Sequence, residues 1–298
     1  MKNALLVYNG QAGESNEDSH CDEIQSILKA HGFSVRFAPT KGEGDAETIC
    51  KVHGPSYAFI FIFGGDGTVN ECINGLAQLS VPPTIGILPG GTANDFARTL
   101  NIPFDIADAT HALLSGKAIN IDVPKANNRY FINFFAVGLI ADTSDNINEQ
   151  LKERLGKLSY FLSAVKTTLK PRYYDYKLMH QDTVIKEGEA VLILVANGDH
   201  IGSVSLPQRH TLSDGNLEIY IVKEAGLPLL EAWFKAGKID WNESEENSNL
   251  SHYQLSELHL ETTPEASIDT DGEDAGTTPV HITVDTALTF LVPNTDVF

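Results

Sequence analysis

Ala58-Phe-Ile-Phe-Ile-Phe63 runs without interruption into Gly64-Gly-Asp-Gly-Thr-Val-Asn-Glu71, and this junction decides the fold. Six consecutive apolar residues suit a strand covered on both faces, while Val69, Cys72, Ile73, Leu76 and Leu79 recur at helical spacing. Strand, glycine turn and helix in that order form a phosphate cradle. Glycines at 64, 65 and 67 let backbone N–H groups approach an anion without a Cβ in the way, and the helix start adds donors and the positive end of its dipole. Asp66, projecting from such a loop, is placed to hold a metal ion or orient a phosphate-bound water. A hairpin at Asp66-Gly67 requires a second alternating run after the turn, and the chain becomes helical instead.

On either side of the junction, residues 3 to about 100 alternate between strand and helix patterns. A first strand at 3–8 leads into Asn9-Gly-Gln-Ala-Gly13, then a helix with Ile24, Ile27 and Leu28 on one face. A strand at 33–38 ends at Pro39-Thr40, and a helix begins near Gly44. The central helix is expected over 69–79. After it, a strand at 85–88 ends in a second glycine turn, Pro89-Gly-Gly-Thr-Ala-Asn-Asp-Phe-Ala-Arg98. Such alternation implies a parallel sheet whose carboxyl-end loops, here 9–13, 40–44, 64–68 and 89–95, hold the ligand. Beyond Asp122 the pattern changes. Short strands are expected at 129–137, 173–180, 189–196, 216–222, 256–261 and 279–292, with one helix from Ile147 to about Leu169. The second domain therefore reads as a mostly antiparallel β-sandwich or barrel.

The chain has 298 residues, enough for two ordinary cores, and 40 acidic against 21 basic side chains. The resulting formal charge of −19 opposes binding to nucleic acid or to an anionic surface as a whole. Three dispersed cysteines, Cys21, Cys50 and Cys72, without a Cys-x-x-Cys pair, argue for a reducing compartment and against zinc. No apolar run approaches the roughly 20 residues that span a bilayer. A cytoplasmic location is expected.

Four motifs now stand in order: Gly64 to Glu71, Gly91-Thr-Ala-Asn-Asp-Phe-Ala-Arg98, Leu212-Ser-Asp-Gly-Asn-Leu217 and Asp271-Gly-Glu273. Together they resemble the diacylglycerol kinase catalytic domain family, in particular its soluble bacterial lipid kinase branch, and the resemblance runs essentially end to end. Gly-Gly-Asp-Gly-Thr alone is shared with NAD kinases and resembles a phosphofructokinase loop; the Val69-Asn70-Glu71 continuation and the Gly91 motif are more specific to lipid kinases. The resemblance implies a nucleotide-binding α/β domain over 1–122 and a β-rich acceptor domain over 123–292, with the last residues, about 293–298, returning to the first. The resemblance further implies ATP-dependent transfer of the γ-phosphoryl group to a lipid hydroxyl.

Carried over by position, the resemblance implies ATP contacts at Asn9, Gly10, Gln11, Ala12, Gly13, Thr40, Gly64, Gly65, Asp66, Gly67, Thr68, Val69, Asn70, Glu71 and Thr92. Asp66 is the implied catalytic Mg²⁺ carboxylate, through water. Glu273 is the implied base for the substrate hydroxyl, with Asp271 holding it or binding metal. Asp269 to Val280 does not fit a calcium loop, because the twelfth position is Val280 rather than Glu. A second oxygen site, suited to Mg²⁺, is implied at the Asp214 carboxylate and the backbone carbonyls of Thr211 and Asn216, where Ser-Asp-Gly-Asn is also ordinary turn chemistry, and the resemblance places Asp122, at the domain junction, in contact with the metal network. A homodimer is the assembly that the resemblance allows.

Two departures stand out. Ala12 replaces the Ser usual in the family's Asn-Pro-x-Ser-Gly loop, and Asp199 to Pro207 replaces a glycine run. The acceptor is therefore open: diacylglycerol, another lipid alcohol, a soluble polyol or NAD-like molecule, or a binding module without turnover. Residues 151–172 carry Lys152, Arg154, Lys157, Lys166, Lys170 and Arg172 against Glu153, with leucines at helical spacing. Two readings stand side by side for this stretch: a basic amphipathic edge laid against the inner membrane face, or a helix packed on its own domain with solvated lysines.

Overall fold

The computed structural model describes residues 2–10, 16–138, 171–201, 204–206, 211–224 and 249–294. Residues 151–170 of the basic segment, the helix expected from Ile147 and loop residues Gln11, Ala12 and Gly13 lie outside the described residues; Pro171 and Arg172, the last two of that segment, are described. The chain divides into two compact units, Met1–Val123 with Thr286–Phe298, and Pro124–Asp285.

The first unit begins β1 (Lys2–Asn9), α1 (Asn16–Ala30), β2 (Phe33–Thr40), α2 (Asp45–His53), β3 (Phe59–Gly64), α3 (Asp66–Leu76) and β4 (Thr84–Pro89). It continues with α4 (Asp95–Thr99), α5 (Ile106–Ser115) and β5 (Lys117–Asp122). The sheet order is β2-β1-β3-β4, then a strand at Ala287–Val292, then β5. β1 to β4 pair in parallel, which is the arrangement the alternating pattern requires. Ile60, Phe61 and Ile62 of β3 are fully buried, so this strand anchors the core. Each such side chain contributes about 1.5–3 kcal/mol by leaving water. The helices form two pairs, α1 against α5 and α2 against α3.

The returning strand corrects the expected boundary. The single run at 279–292 is divided: Val280–Thr283 belongs to the second unit, whereas Ala287–Val292 lies parallel to β4 and antiparallel to β5 in the first. The chain comes back at Thr286 rather than near 293, and Thr286 C=O accepts from Val123 N–H at 2.8 Å where the chain leaves and re-enters.

Among the described residues, the second unit is a sandwich of two six-stranded antiparallel sheets, with His200–Ile201 and Val204–Ser205 paired beside them. One runs Thr183–Ala190, Tyr174–His180, Glu257–Thr263, Val280–Thr283, Lys125–Ala126, Arg129–Tyr130. The other runs Leu250–Leu255, Leu217–Val222, Leu192–Ala196, Phe134–Gly138, Ser267–Thr270, Glu273–Thr277. Alternate residues such as Phe135, Val137, Ile193, Val195, Ile219 and Ile221 face Tyr176, Leu178, Leu258, Leu260 and Ile282 across one core. Two expected strands are each shared between the sheets. The run at 129–137 breaks at Phe131–Asn133, and the run at 189–196 breaks at Val191. Among the described residues, no helix is long and apolar enough to cross a membrane.

Candidate active site

The first unit gathers its glycine turns at the carboxyl ends of β1 to β4. Asn9 pairs with Thr40 where β1 and β2 end, and Gly10 N–H donates to the Thr40 carbonyl at 3.2 Å. Thr40 is itself buried.

At the end of β3, Gly65 is extended and α3 starts at Asp66, not at Val69 as the helical spacing predicts. The first helical bond runs from Val69 N–H to Gly65 C=O. The helix also ends three residues early, at Leu76. Asp66 is therefore a first-turn helix residue instead of a loop projection, where a carboxylate interacts favourably with the helix dipole. Its Oδ1 accepts the Asp95 N–H at 2.8 Å, so the start of α4 fixes the carboxylate. Sequence reasoning did not single out Asp95; the available signal was Asn94-Asp95 directly before an apolar helical start.

The two glycine turns touch. Gly90 N–H donates to Gly64 C=O at 3.0 Å, and a Cβ built on Gly91 would lie 2.4 Å from the Cα of Gly65. Only glycine permits that approach. Asn94 adopts a left-handed conformation (φ 52°) and grips the second turn from both sides: Oδ1 accepts from Gly91 N–H and Nδ2 donates to Gly91 C=O, each at 2.8 Å. Arg98 Nε donates to Ala93 C=O at 2.8 Å, and its guanidinium lies 4.4 Å from the Phe104 ring centroid. Thr92 and Gly67 are exposed on this surface. Gly91→Ala is expected to lower stability by about 1–3 kcal/mol through backbone overlap, read as a fall in the thermal midpoint; an unchanged midpoint would show that the turns separate freely.

Three of the implied nucleotide residues are used otherwise. Val69 and Asn70 are buried in α3, and Glu71 Oε2 accepts the Ala46 N–H of α2 at 3.1 Å, capping the neighbouring helix. Cys72 is buried beside Cys50; burial first, then Cys50 and Glu71, pushes its thiol well above the usual range, so it packs rather than reacts.

In the second unit, Asp271-Gly272 forms a two-residue turn, with Thr270 paired to Glu273 and both turn residues at positive φ (53° and 89°). Asp271, expected to hold Glu273 or to bind metal, anchors the turn that carries Glu273 to the 132–134 backbone. Its Oδ2 accepts from Ile132 N–H (2.9 Å) and its Oδ1 from Asn133 (2.8 Å) and Phe134 (2.9 Å). Those bonds are why the 129–137 run breaks: a buried carboxylate takes the donors that a ladder would use. Glu273 is exposed at the start of its strand.

At 211–216, Asp214 Oδ1 accepts from Asn216 N–H at 3.0 Å, and Oδ2 accepts from Gln254 Nε2 at 3.3 Å. This is an Asx turn. Thr211 is exposed nearby, and among the described residues no group of three acidic, His or Cys side chains assembles for a metal. The Asp214 carboxylate keeps lone pairs beyond these two bonds, so the turn leaves the oxygen site implied with the Thr211 and Asn216 carbonyls as an expectation. Gln254 also donates to Glu218 Oε1 at 3.1 Å, and Glu218 pairs with His252. Burial first, then Glu218 and Asp199, pushes the Tyr220 hydroxyl above its ordinary range. Asp122 ends β5 opposite Ala287 and is partly exposed.

A parallel sheet with touching glycine turns and a pinned carboxylate, followed by an antiparallel sandwich carrying an acidic turn, defines a two-unit chain of the phosphotransferase type. The chain belongs to the diacylglycerol kinase catalytic domain family. The pattern described as "Diacylglycerol kinase catalytic domain" matches residues 3–126, and "YegS C-terminal NAD kinase beta sandwich-like domain" matches residues 135–292. A Staphylococcus aureus (strain JH9) protein named "Putative lipid kinase SaurJH9_0749" is 36% identical over 287 residues, covering 94% of this chain and 93% of its own. A Staphylococcus carnosus protein named "Putative lipid kinase" is 34% identical over 285 residues, covering 93% and 92%. Among solved structures, one described as a "putative diacylglycerol kinase" from Bacillus anthracis superposes with a TM-score of 0.84 at 34% identity, covering 98% of this chain and 95% of that one.

Proposed function

We propose that this chain is a lipid kinase that transfers the γ-phosphoryl group of ATP to a lipid hydroxyl. The observation that carries the reading is the contact of the two glycine turns around Asp66, whose carboxylate is held by Asp95 N–H. Phosphoryl transfer asks mainly for backbone donors at the phosphates and for charge neutralisation, and this arrangement offers both.

In this reading the backbone of Gly64 to Thr68 and of Thr92 receives the phosphates, while Gly91 provides the close approach of the two turns. The hard, partly exposed carboxylate of Asp66 fits Mg²⁺, which when bound neutralises charge on the phosphates. Glu273 accepts the proton of the acceptor hydroxyl while that oxygen forms its bond to the γ-phosphorus and the bond to the β-phosphate oxygen breaks, releasing ADP. The curated relatives named as lipid kinases support a lipid as the acceptor class. The protein then works on a membrane surface from the cytoplasmic side, and its acidity disfavours nucleic acid.

The test is transfer of γ-labelled phosphate into a total lipid extract. Label is expected in a lipid product with Mg²⁺ present and is expected to vanish on chelation with EDTA. Label in water-soluble products alone, or none at all, would overturn the reading.

A further inference from the structure

Two side chains hold the second glycine turn. Asn94 grips Gly91, and Arg98 Nε donates to Ala93 C=O at 2.8 Å. The guanidinium is thereby anchored at the turn that carries Thr92, and its Cζ lies 4.4 Å from the Phe104 ring centroid, so an aromatic face covers one side of its plane. Phe104 is 47% exposed, Gly91 and Thr92 are exposed, and Ala93, Asn94 and Arg98 are partly exposed. Arginine presents its donors as a planar fork. The Ala93 bond takes the Nε hydrogen and leaves those on Nη1 and Nη2, and among the described residues no carboxylate pairs with Arg98.

A chain with 40 acidic against 21 basic side chains has ample acids for its cations, so a guanidinium anchored by a carbonyl and a ring instead keeps its charge for an incoming anion. The anchors also remove rotamer freedom before any ligand arrives. Position adds a second argument. Lys2, Lys29 and Lys51 lie at the start of β1 and in the last turns of α1 and α2, at the amino end of the parallel sheet. Lys41, just past β2, and Arg98 stand at the carboxyl end. Arg98 is one helical turn beyond Asp95, whose N–H holds Asp66 where the two glycine turns meet.

We propose that Arg98 receives a phosphate of the bound nucleotide through its Nη groups, beside the backbone donors of the two glycine turns. This rests on the nucleotide site of the kinase reading and adds a charged residue to it. The matching chemistry is a phosphate group, two of whose oxygens the fork meets at once. A phospholipid headgroup carries similar chemistry, so the test separates the two sources.

Titration calorimetry with Mg²⁺ compares wild type and Arg98→Gln on ADP and on adenosine, and flotation compares both on vesicles of phosphatidylglycerol in phosphatidylcholine. ADP affinity is expected to fall about 10–100-fold in Arg98→Gln, the effect of losing a charge-assisted bond, with adenosine and vesicle binding unchanged. Wild-type ADP affinity is also expected to weaken more steeply with salt than the variant's, a difference that a merely loosened turn does not produce. Equal ADP affinities, or equal salt dependence, overturn the assignment while the kinase reading stands. A loss confined to vesicles overturns it too, and places the cation on a lipid headgroup. Should Arg98→Gln not fold, Arg98→Lys decides. It keeps the charge and loses the fork, so ADP affinity is expected to fall severalfold; wild-type affinity, or a second failure to fold, overturns the assignment. Failure of wild type to label any lipid while ADP still binds removes only the kinase reading, whereas failure to bind ADP removes both.

Discussion

Asp271→Ala is expected to cost about 4 kcal/mol of folding stability, a large share of the 5–15 kcal/mol typical of a domain. The carboxylate accepts three backbone N–H groups, from Ile132, Asn133 and Phe134, and it is 9% exposed. Leaving a buried donor unmade costs roughly 1–3 kcal/mol each, more when the acceptor is charged, and water recovers part of the total once the side chain is gone. A second penalty is local. Asp271 sits at φ 53°, a region that Asp tolerates better than Ala. Asp271→Asn retains one acceptor oxygen and the turn preference, so it is expected to recover about half of the loss. Urea denaturation of the three proteins reads both effects. A midpoint for Asp271→Ala that matches wild type would mean that the 132–134 backbone finds other acceptors and that the turn is not a structural node.

The acidic turn shows what the sequence makes legible and what it hides. Asp271-Gly-Glu273 stands out because two acids flank a glycine, but nothing in the spacing says that the first acid turns inward to a segment 137 residues away while the second stays exposed. Such a division of labour is set by tertiary contact. The same holds at Glu71, whose partner is the first turn of α2, and at Asp95, whose N–H is the partner of Asp66. By contrast, the parallel sheet is readable because β1, β3 and β4 carry apolar runs punctuated by glycine or proline, as burial on both faces demands, while β2 at the sheet edge alternates apolar and exposed residues.

Strand boundaries in the second unit were the poorest part of the reading, for a definable reason. Runs at 129–137, 189–196 and 279–292 are continuously rich in apolar and β-branched residues, yet each contributes to two sheets. Apolarity records that a residue is buried and not which sheet it joins. The polar strands Ser267–Thr270 and Glu273–Thr277 were missed for the opposite reason, since their sequences, SIDT and EDAGT, carry little strand signal and pairing partners alone make them strands.

Glu273→Gln is expected to lower the rate of phosphoryl transfer to lipid by about 10²–10⁴-fold, the range that removal of a positioned general base produces. Glutamine keeps the size and shape of the side chain but cannot take a proton, so the acceptor oxygen must attack while still carrying its hydrogen. Because Glu273 is exposed at the start of an edge strand and its backbone pairing with Thr270 does not depend on the carboxylate, the substitution is expected to change stability by no more than about 0.5 kcal/mol. ATP affinity should be unaltered, since the glycine turns and Asp66 belong to the other unit. The combination separates this residue from its neighbour two positions earlier: Asp271→Ala fails in urea, whereas Glu273→Gln melts like wild type and fails only in turnover. Nucleotide binding by calorimetry, a thermal melt and a single-turnover transfer measured on one preparation make the separation. A Glu273→Gln protein that transfers at more than a tenth of the wild-type rate would remove the base from this turn. Normal turnover together with normal nucleotide binding would then leave positioning by the glycine turns as the principal source of catalysis.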